Sequence, residues 1–427
     1  MKTPIAILNL WHQGAKTLVS TGGVAFALLL VFMQLGFMGA VSHTATNVLS
    51  HLKFDILIRA RDYLHLYEPS QIDRQWLAIA ASTRGVSATH PFWITIHNWR
   101  GLPTAEEQAA GEFDIKYLPI AVMAFEPEAN VFDLPDIQQA IAGGKLSRDS
   151  SLLIDDSTQA DYGPLHAGRF SAEDVGRQTE IGGRQFTIHG LFKLGTGLAA
   201  NGAAVTSHHG FARITPWDVR HTTSIGLVQV DGGPEQVALV LDRLRERTAL
   251  SSDGKTLTSA APTGMMSWFE TGNKGGSSAG AVTVLSRDEA LELENKRWLW
   301  QTPIGLIFQL GVLLSLLVGG AIVYMVLSTD VANRLPEYAT LLAIGYSRLY
   351  LASIVMTQAI VLSLLGFLAA WAAAELLYRL TTAYSNIPLI MEPLRIASVG
   401  GLGLLMCCTS GLFALRKLWK AEPASLF

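Results

Sequence analysis

The sequence predicts an α-helical membrane domain of four transmembrane helices in a 1+3 arrangement, with a large α+β extracytoplasmic domain inserted between helices 1 and 2. Only 16% of the 427 residues are charged, whereas an average soluble domain has about 25%. Charged residues are missing from four windows of at least 20 residues each, namely 17–42, 299–329, 349–374 and 396–415. About 255 residues of mixed composition separate the first window from the other three.

The rest of the chain has the composition of an ordinary soluble domain. The 324 residues outside the four windows carry all 67 charged residues, 32 basic and 35 acidic. That is a share of about 21%, close to the soluble average. This combination argues against a disordered chain, a disulfide scaffold or an all-membrane bundle. The two cysteines, Cys407 and Cys408, are adjacent in the last window. The net charge of −3 does not suggest a nucleic-acid partner.

Each window is long enough to cross a membrane, because a helix needs roughly 20 apolar residues for a hydrocarbon core of about 30 Å. The first apolar segment is too long for a signal-peptide core, and no convincing cleavage site follows it, so it is predicted to be retained. The predicted transmembrane helices are 18–41, 303–328, 349–374 and 396–415. None contains a charged residue, which argues against a proton-coupled transporter.

The distribution of Lys and Arg predicts the orientation. The short segments 1–16, 330–348 and 416–427 hold seven Lys or Arg residues, whereas the loop 375–395 holds two. Cytoplasmic loops carry the excess of positive charge. We therefore expect a cytoplasmic N-terminal segment 1–17, a cytoplasmic loop 329–348 and a cytoplasmic tail 416–427. The domain 42–298 and the short loop 375–395 then lie outside the membrane.

The extracytoplasmic segment is predicted to be an α+β domain of two lobes, because β-branched and aromatic runs alternate with turns and helical patterns. The predicted strands are Phe54–Arg59, Pro91–His97, Leu118–Phe125, Ser151–Asp155, Gln185–Phe192 and Ser224–Val230. The predicted helices are Ser70–Ala81, with Ser70 as a candidate cap, and Pro234–Thr248. Residues 194–212 are predicted to form a loop with a short strand, and residues 251–280 a mobile loop or hairpin.

Two helical segments are predicted to link this domain to the membrane. The charged, helix-prone stretch Ser286–Trp300 leads directly into the second transmembrane helix, and residues His43–His51 continue the first one outward. We expect these segments to form a helical stalk. The alternative is an ordinary amphipathic connector.

The cytoplasmic loop 330–350, DVANRLPEYATLLAIGYSRLY, carries the clearest functional signal. It is predicted to be helical after Pro336, with Glu337 in the first turn and Gly345 as the stop. Tyr338, Leu341 and Leu342 share one apolar face, and Ile344 and Tyr346 add bulk. That face could lie on the membrane surface or in a groove of a cytoplasmic partner.

Several segments of the chain resemble the DevC-type permeases of the MacB/FtsX/LolC superfamily, the membrane subunits of type VII ABC transporters. In the membrane half they are TPIGLIFQLG (302–311), VYMVLSTDV (323–331), LPEYATLLAIGYS (335–347), Gln358 followed by LLGF (364–367), and LRKLWKAEPASLF (415–427). In the outer domain they are residues 143–163 and 181–195. One departure is Leu342, where DevC-like loops commonly have Lys.

The resemblance implies a homodimer that sits on a dimer of a separate ABC ATPase subunit and lies among membrane lipids. ATP and Mg are bound by that ATPase, and this chain is expected to have no cofactor and no enzymatic activity of its own. The sequence contains no G-x-x-x-x-G-K-[ST] phosphate-binding loop. DevC-type relatives are further expected to work with a periplasmic adaptor (membrane fusion) protein and a TolC-like outer-membrane channel. The implied location is the inner membrane of a Gram-negative bacterium or cyanobacterium.

The resemblance identifies the cytoplasmic loop as the ATPase-coupling helix. Its predicted contact residues are Arg334, Glu337, Tyr338, Leu341, Leu342, Ile344, Gly345 and Tyr346. Arg334 and the tail residues Arg416, Lys417 and Lys420 could pair with acidic residues of the ATPase, or could simply anchor the chain by the positive-inside rule.

We expect no catalytic, cofactor-binding or metal site. The pair His208–His209 lacks a third metal ligand and is better explained as a surface loop. Asp155–Asp156 is better explained as a turn at a strand end. Trp93, Trp99 and Trp217 could line a lipid or peptide path, but packing in a core or interface is the simpler interpretation.

Three functions are open on the sequence. The first is a tripartite export system for a lipid, glycolipid or hydrophobic compound. The second is an FtsX-like mechanotransmitter that regulates periplasmic cell-wall hydrolases without transport. The third is a lipoprotein-releasing permease. The match of EYATLLAIGY (337–346) and of the tail to DevC-type proteins favours export.

Overall fold

The computed structural model describes residues 14–111, 114–166, 168–195, 200–251, 282–385, 387 and 389–420. The chain divides into two compact units, one formed by Met1–Ser42 together with Leu299–Phe427, and the other by His43–Trp298. These are called the membrane unit and the outer unit below. The predicted loop at 251–280 falls almost entirely outside the described residues.

The helices and strands follow the chain in this order. The α-helices are α1 Gly14–Ser50, α2 Gln75–Ala81, α3 Ala105–Ala110, α4 Pro135–Ala142, α5 His208–Ala212, α6 Pro234–Ser251, α7 Arg287–Trp300, α8 Pro303–Asn333, α9 Leu335–Ala343, α10 Arg348–Ser385 and α11 Pro393–Lys420. The strands are β1 Ile56–Ala60, β2 Ile72–Asp73, β3 Val86–Arg100, β4 Tyr117–Phe125, β5 Ser151–Asp155, β6 Gln178–Ile181, β7 Arg184–Phe192, β8 Ala203–Ser207, β9 Thr222–Thr223, β10 Ile225–Val230 and β11 Val282–Ser286. Short 3₁₀ helices lie at Ala160–Tyr162 and Ala172–Asp174.

Among the described residues, four helices are long and apolar enough to cross a membrane, judged by length and composition. They are Thr17–Ser50, Pro303–Asn333, Arg348–Tyr384 and Pro393–Leu415. Local sequence explains where two of them begin. Thr302 accepts a hydrogen bond of 3.3 Å from the amide of Gly305, and Pro303 occupies the first helical position of α8. The hydroxyl of Ser347 accepts a bond of 3.3 Å from the amide of Tyr350 and caps α10 in the same way.

The membrane unit has a continuous apolar core to which all four long helices contribute. Its members include Leu28 and Phe32 of α1, Val323 of α8, Ala359 of α10 and Cys407 of α11. Glycines allow close approach between these helices, as in other membrane bundles. A side chain at Gly36 would meet the ring of Tyr378, whose hydroxyl donates to the carbonyl of Phe32.

The outer unit is built on a nine-stranded sheet with the order β11-β1-β10-β3-β4-β8-β5-β7-β6. The long strand β3, inside this sheet, changes partner at Phe92: residues before it pair with β10, and residues after it pair with β4. Beyond the change, the hydroxyls of Thr223 and Ser224 accept from the amides of Phe92 and Ile94, both at 3.1 Å, and so replace the lost strand pairing. β3 therefore belongs to two lobes of one sheet.

Each lobe has its own hydrophobic core. In one lobe, a bridge between Trp99 and Ile181 joins β6 back to β3, so six strands close into a ring. The core of this lobe includes Trp93, Trp99, Phe186 and Phe211. The other lobe packs α2 and α6 on β1 and β10, and its core includes Ile56, Trp76, Val228 and Leu244.

The predicted strands correspond to β1, β3, β4, β5, β7 and β10; β5 has its predicted bounds, and the ends of the others differ by at most five residues. The predicted start of the first outer helix at Ser70 is wrong, because residues 72–73 form β2 and the helix begins at Gln75. Its first amide is held by Oδ1 of Asp73, at 2.7 Å, rather than by Ser70. The predicted loop at 194–212 contains both a strand, β8, and a five-residue helix, α5.

Candidate functional site

The candidate site is the loop between α8 and α10, and it begins with a sharp break in the helix. The Arg334 amide still donates to the carbonyl of Asp330, at 3.1 Å. Pro336 has no N–H, so the carbonyl of Ala332 loses its helical partner and α8 ends. A new helix, α9, follows at once, with the amide of Tyr338 donating to the carbonyl of Arg334 at 3.0 Å.

The other end of α9 is closed by Gly345. This residue has a φ of +103°, which favours glycine. The amide of Tyr346 donates back to the carbonyl of Leu341, at 3.0 Å, and the amide of Ile344 to that of Thr340, at 3.0 Å. The bond from Tyr346 is the six-to-one contact of a Schellman motif. Gly345 thus ends the helix, as the sequence predicts.

Arg334 is almost fully buried and is paired within the chain. Its Nε donates to Oδ1 of Asp330, at 3.0 Å, and its Nη1 lies 3.8 Å from a carboxylate oxygen of Glu337. The Arg334 side chain is only 8% exposed, whereas that of Glu337 is 68% exposed. Arg334 therefore links the two helices across the break, and Glu337 is the member of this group that faces outward.

The apolar face of α9 is covered by the membrane unit itself. Tyr338 is 2% exposed, and its cluster contains Val331, Leu351, Val355 and Leu415. Leu341 packs against the same cluster. Burial, assisted by the carboxylate of Asp330, raises the pKa of Tyr338 to about 12. A helical pattern of apolar residues indicates that a face is buried, but does not indicate which surface covers it.

Among the side chains described in this loop, the large exposed apolar ones lie in the corner after α9. Ile344, Tyr346 and Leu349 are 70%, 46% and 79% exposed. The rings of Tyr346 and Tyr350 stack with centroids 5.0 Å apart, which stiffens the corner. We call Ile344, Tyr346 and Leu349, together with the exposed Glu337 in the first turn of α9, the outward corner. The side chains of Leu342, Arg416, Lys417 and Lys420, which the sequence also suggests as contacts, lie outside the described part of the chain.

The remaining polar candidates, Asp155, His208 and His209, make contacts that explain them as parts of the fold. Asp155 is fully buried and accepts backbone hydrogen bonds from Ser157 at 3.0 Å, Leu194 at 3.3 Å and Gly195 at 2.8 Å. Burial raises the pKa of this carboxyl to about 6, although the three amides oppose the shift. The ring centroids of His208 and His209 lie 3.9 Å apart, with the ring planes tilted by 38°. Where side chains are described, no group of three His, Cys, Asp or Glu is arranged to hold a metal ion.

The three tryptophans serve as packing residues. Trp93 and Trp99 are fully buried, and their indole nitrogens donate to the carbonyls of Thr222 at 2.8 Å and Tyr162 at 3.1 Å. Trp217 lies 5.7 Å from the ring of Phe211, at the edge of the same core. These environments agree with packing roles.

Two residues of α7 make contacts that the sequence did not single out. Glu294 is buried and accepts from the hydroxyl of Tyr63, at 3.0 Å, and from the amide of Leu66, at 3.1 Å. Arg287 contacts backbone carbonyls near the end of α1. The sequence offers one indication of the role of Glu294. It stands four residues before Trp298, so the two side chains share one helix face.

Comparison with known proteins gives a family match and several structural likenesses, two of which are described here. Residues 310–423 match the family described as FtsX-like permease C-terminal. The periplasmic region of MacB from Actinobacillus actinomycetemcomitans is 8% identical, with 56% of this chain and 92% of that chain covered and a TM-score of 0.32. The extracellular domain of the noncanonic ABC-type transporter YknZ from Gram-positive bacteria is 10% identical, with 46% and 94% covered and a TM-score of 0.28. No curated protein is significantly similar in sequence.

Proposed function

We propose that the chain, whose residues 310–423 match the family of FtsX-like permease C-terminal domains, is the membrane subunit of a DevC-type export system. It would then be one of the MacB/FtsX/LolC permeases of type VII ABC transporters. In this proposal the chain is a homodimer in a bacterial inner membrane. Its termini and α9 face the cytoplasm, and the outer unit lies in the periplasm.

ATP binding and hydrolysis belong to a separate ABC ATPase dimer, which supplies the nucleotide and Mg sites. The match of residues 310–423 to the FtsX-like permease family supports partnership with such an ATPase. The movement of the ATPase is passed to the outer unit, where an adaptor and a TolC-like channel receive the substrate. The substrate class is a lipid, glycolipid or other hydrophobic compound, in line with the sequence resemblance to DevC-type permeases.

The observation that carries the proposal is the outward corner. Its inner neighbours Tyr338 and Leu341 pack against the membrane unit and anchor α9 to the bundle. Ile344 and Leu349 are large apolar side chains that are mostly exposed. Such residues beside an anchored helix suit the groove of a partner. A push on this corner would be delivered directly to α8 and α10.

The test compares two identical changes at two equally exposed leucines. The variant Leu349→Asp changes the outward corner. The control Leu394→Asp changes the first turn of α11, at the opposite end of the membrane unit in the proposed topology. The two leucine side chains are 79% and 78% exposed. Full-length protein is co-purified with its ATPase, and both association and ATP turnover are measured. We expect Leu349→Asp to weaken association at least tenfold, about 1.4 kcal/mol, and Leu394→Asp to leave it unchanged.

Equal behaviour of the two variants would remove the outward corner from the ATPase interface. Absence of any ATPase in preparations that preserve membrane complexes would overturn the permease proposal itself. The export role has its own test, which is capture of an adaptor and an outer-membrane channel by the tagged chain. Capture of a cell-wall hydrolase or its activator instead would replace export by the FtsX-like regulatory role.

A further inference from the structure

The side chain of Arg287 holds the end of α1 from the start of α7. Its Nη2 donates to the carbonyl of Ser50, the last residue of α1, at 2.6 Å. Its Nη1 donates to the carbonyls of Leu52, at 2.6 Å, and Phe54, at 3.2 Å. The guanidinium carbon also lies 4.9 Å from the centroid of the Phe54 ring. One side chain therefore gathers three carbonyls at the point where α1 ends.

The position of this arginine is explained by α1 and not by α7. The last carbonyls of a helix lack partners and carry a partial negative charge, so a cation is favourable there. At the beginning of a helix a cation is unfavourable, and α7 otherwise follows that preference with Asp288 and Glu289 in its first turn. A planar guanidinium can also donate to several carbonyls at once, which a lysine ammonium cannot do in the same fixed geometry.

The backbone continues the same connection. The amide of Arg287 donates to the carbonyl of Asp55, at 2.9 Å. The strands β1 and β11 are paired, with Ile56 opposite Ser286. β11 runs directly into α7, and only five residues separate the end of α1 from β1. Both helices therefore enter the sheet of the outer unit at the same pair of strand ends.

We propose that Arg287 is a positioning residue for force transmission, which joins the end of α1 and the start of α7 so that the two helices move the β1–β11 strand pair together. This inference rests on the proposed function, because α1 and α7 are the two segments by which the chain passes between its membrane and outer units. In the joined state, a displacement of either helix reaches the sheet as one movement. Without the guanidinium, each helix end can shift separately.

The experiment measures the distance between α1 and α7 in the full-length protein with its ATPase. Spin labels are placed at His43 of α1 and at the exposed Glu292 of α7, after replacement of Cys407 and Cys408 by serine. Distance distributions are recorded without nucleotide and with a non-hydrolysable ATP analogue. The variants are Arg287→Gln and Arg287→Lys.

The matched control is Arg245→Gln. Arg245 also contacts the first turn of α7, through Glu289 at 2.6 Å, and it donates to the carbonyl of Val284 in β11 at 3.2 Å; it comes from α6 and not from α1. We expect a single narrow distribution in the parent and in Arg245→Gln. We expect Arg287→Gln to broaden it or split it in two, with Arg287→Lys between them. ATPase association should be unchanged in all variants.

A narrow, parent-like distribution for Arg287→Gln in both nucleotide states would overturn the inference. If Arg287→Gln does not fold, Arg287→Lys decides, because it keeps the charge but cannot hold three carbonyls; a parent-like distribution for it would then overturn the proposal. Failure of the proposed function is a different result. It appears as loss of ATPase association in the parent protein, whereas the distance measurement without nucleotide still reports whether Arg287 joins the helices.

Discussion

The hydroxyl of Tyr63 donates a hydrogen bond of 3.0 Å to Oε2 of Glu294, a carboxylate that is only 1% exposed. Its other oxygen accepts from the amide of Leu66 and from the indole of Trp298, both at 3.1 Å. Burial raises the pKa of Glu294, and these donors oppose the rise. The carboxylate of Glu294 accepts from all three of these donors. Since Tyr63 and Leu66 lie in the loop that follows β1, Glu294 fixes α7 to that loop.

Replacement of Glu294 should weaken this attachment. Glu294→Gln keeps one oxygen but presents an amide nitrogen to the Tyr63 hydroxyl, and we expect a loss of about 1–3 kcal/mol, the cost of a buried polar group without its partner. Glu294→Ala leaves all three donors unsatisfied and should cost more. The measurement is hydrogen exchange of the amides in 56–68 of the full-length protein. Glu292→Gln, an exposed change on the same helix, should stay within about 0.5 kcal/mol. Equal protection in all variants would contradict the role.

The same cluster contains a histidine that titrates far from its normal pH. The ring of His65 lies 5.4 Å from that of Trp298, and burial, with help from Arg297, lowers the pKa of His65 to about 4. The folded state therefore prefers the neutral ring, while the unfolded chain binds a proton below about pH 6.5. The contribution of His65 to stability is present above pH 6.5 and is lost as the pH falls through 4. We expect His65→Phe to remove this pH dependence and to retain the ring contact.

Asp155 should produce the opposite pH dependence. Its pKa is raised to about 6 from an ordinary value of 3.8, so its contribution is present below about pH 4 and is lost as the pH rises through 6. Each group changes the free energy of unfolding by roughly 3 kcal/mol between its unfolded-state and folded-state pKa values, at 1.36 kcal/mol per pKa unit. The two therefore nearly cancel in the parent protein. In His65→Phe the free energy of unfolding should fall as the pH rises from 4 to 6, because only the Asp155 contribution remains. In Asp155→Asn it should rise over the same range, because only the His65 contribution remains. Unfolding measured by tryptophan fluorescence at several pH values checks both slopes. Parallel slopes in the two variants would refute this assignment.

Close helix packing in the membrane unit gives a prediction with a built-in control. A methyl group at Gly36 would meet the ring and hydroxyl of Tyr378, whereas one at Gly401 would meet nothing within 4 Å. Gly36→Ala should therefore cost about 1–3 kcal/mol by overpacking, and Gly401→Ala should be neutral or slightly stabilising. The free energy of unfolding in detergent is the measurement. A loss at both positions would point to a general need for glycine flexibility instead of a contact.

Local patterns in the sequence were sufficient for most elements but not for the contacts between distant ones. The run Ser151–Asp155 is predicted with its observed bounds because a short apolar strand is bounded by turn residues on both sides. The exchange of partners by β3 at Phe92 could not be predicted, since it depends on residues more than 130 positions away, in β10. The contact of Arg287 with Ser50 spans 237 positions and leaves no trace in local periodicity.

The loop between α8 and α10 shows the same limit on a smaller scale. The break at Pro336 and the stop at Gly345 follow from proline and glycine backbone chemistry, so they can be read locally. The local sequence does not reveal which side chains face outward, because that depends on how α8, α10 and α11 pack. Tyr338 and Ile344 both look like contact residues in the sequence, yet one is buried and the other is exposed.

The buried hydroxyl of Tyr338 separates an anchoring role from a contact role. Its Oη has no hydrogen-bond partner among the described residues, and a buried polar group without a partner costs free energy. Tyr338→Phe removes that group and keeps the ring, so we expect a gain of about 1 kcal/mol in stability and unchanged ATPase association. Leu341→Asp places a charge against the same cluster and should destabilise the membrane unit itself. If Tyr338→Phe instead lowered ATPase association while the fold was retained, the hydroxyl would belong to the ATPase interface, and α9 would have to rotate out of its packed position when the ATPase binds.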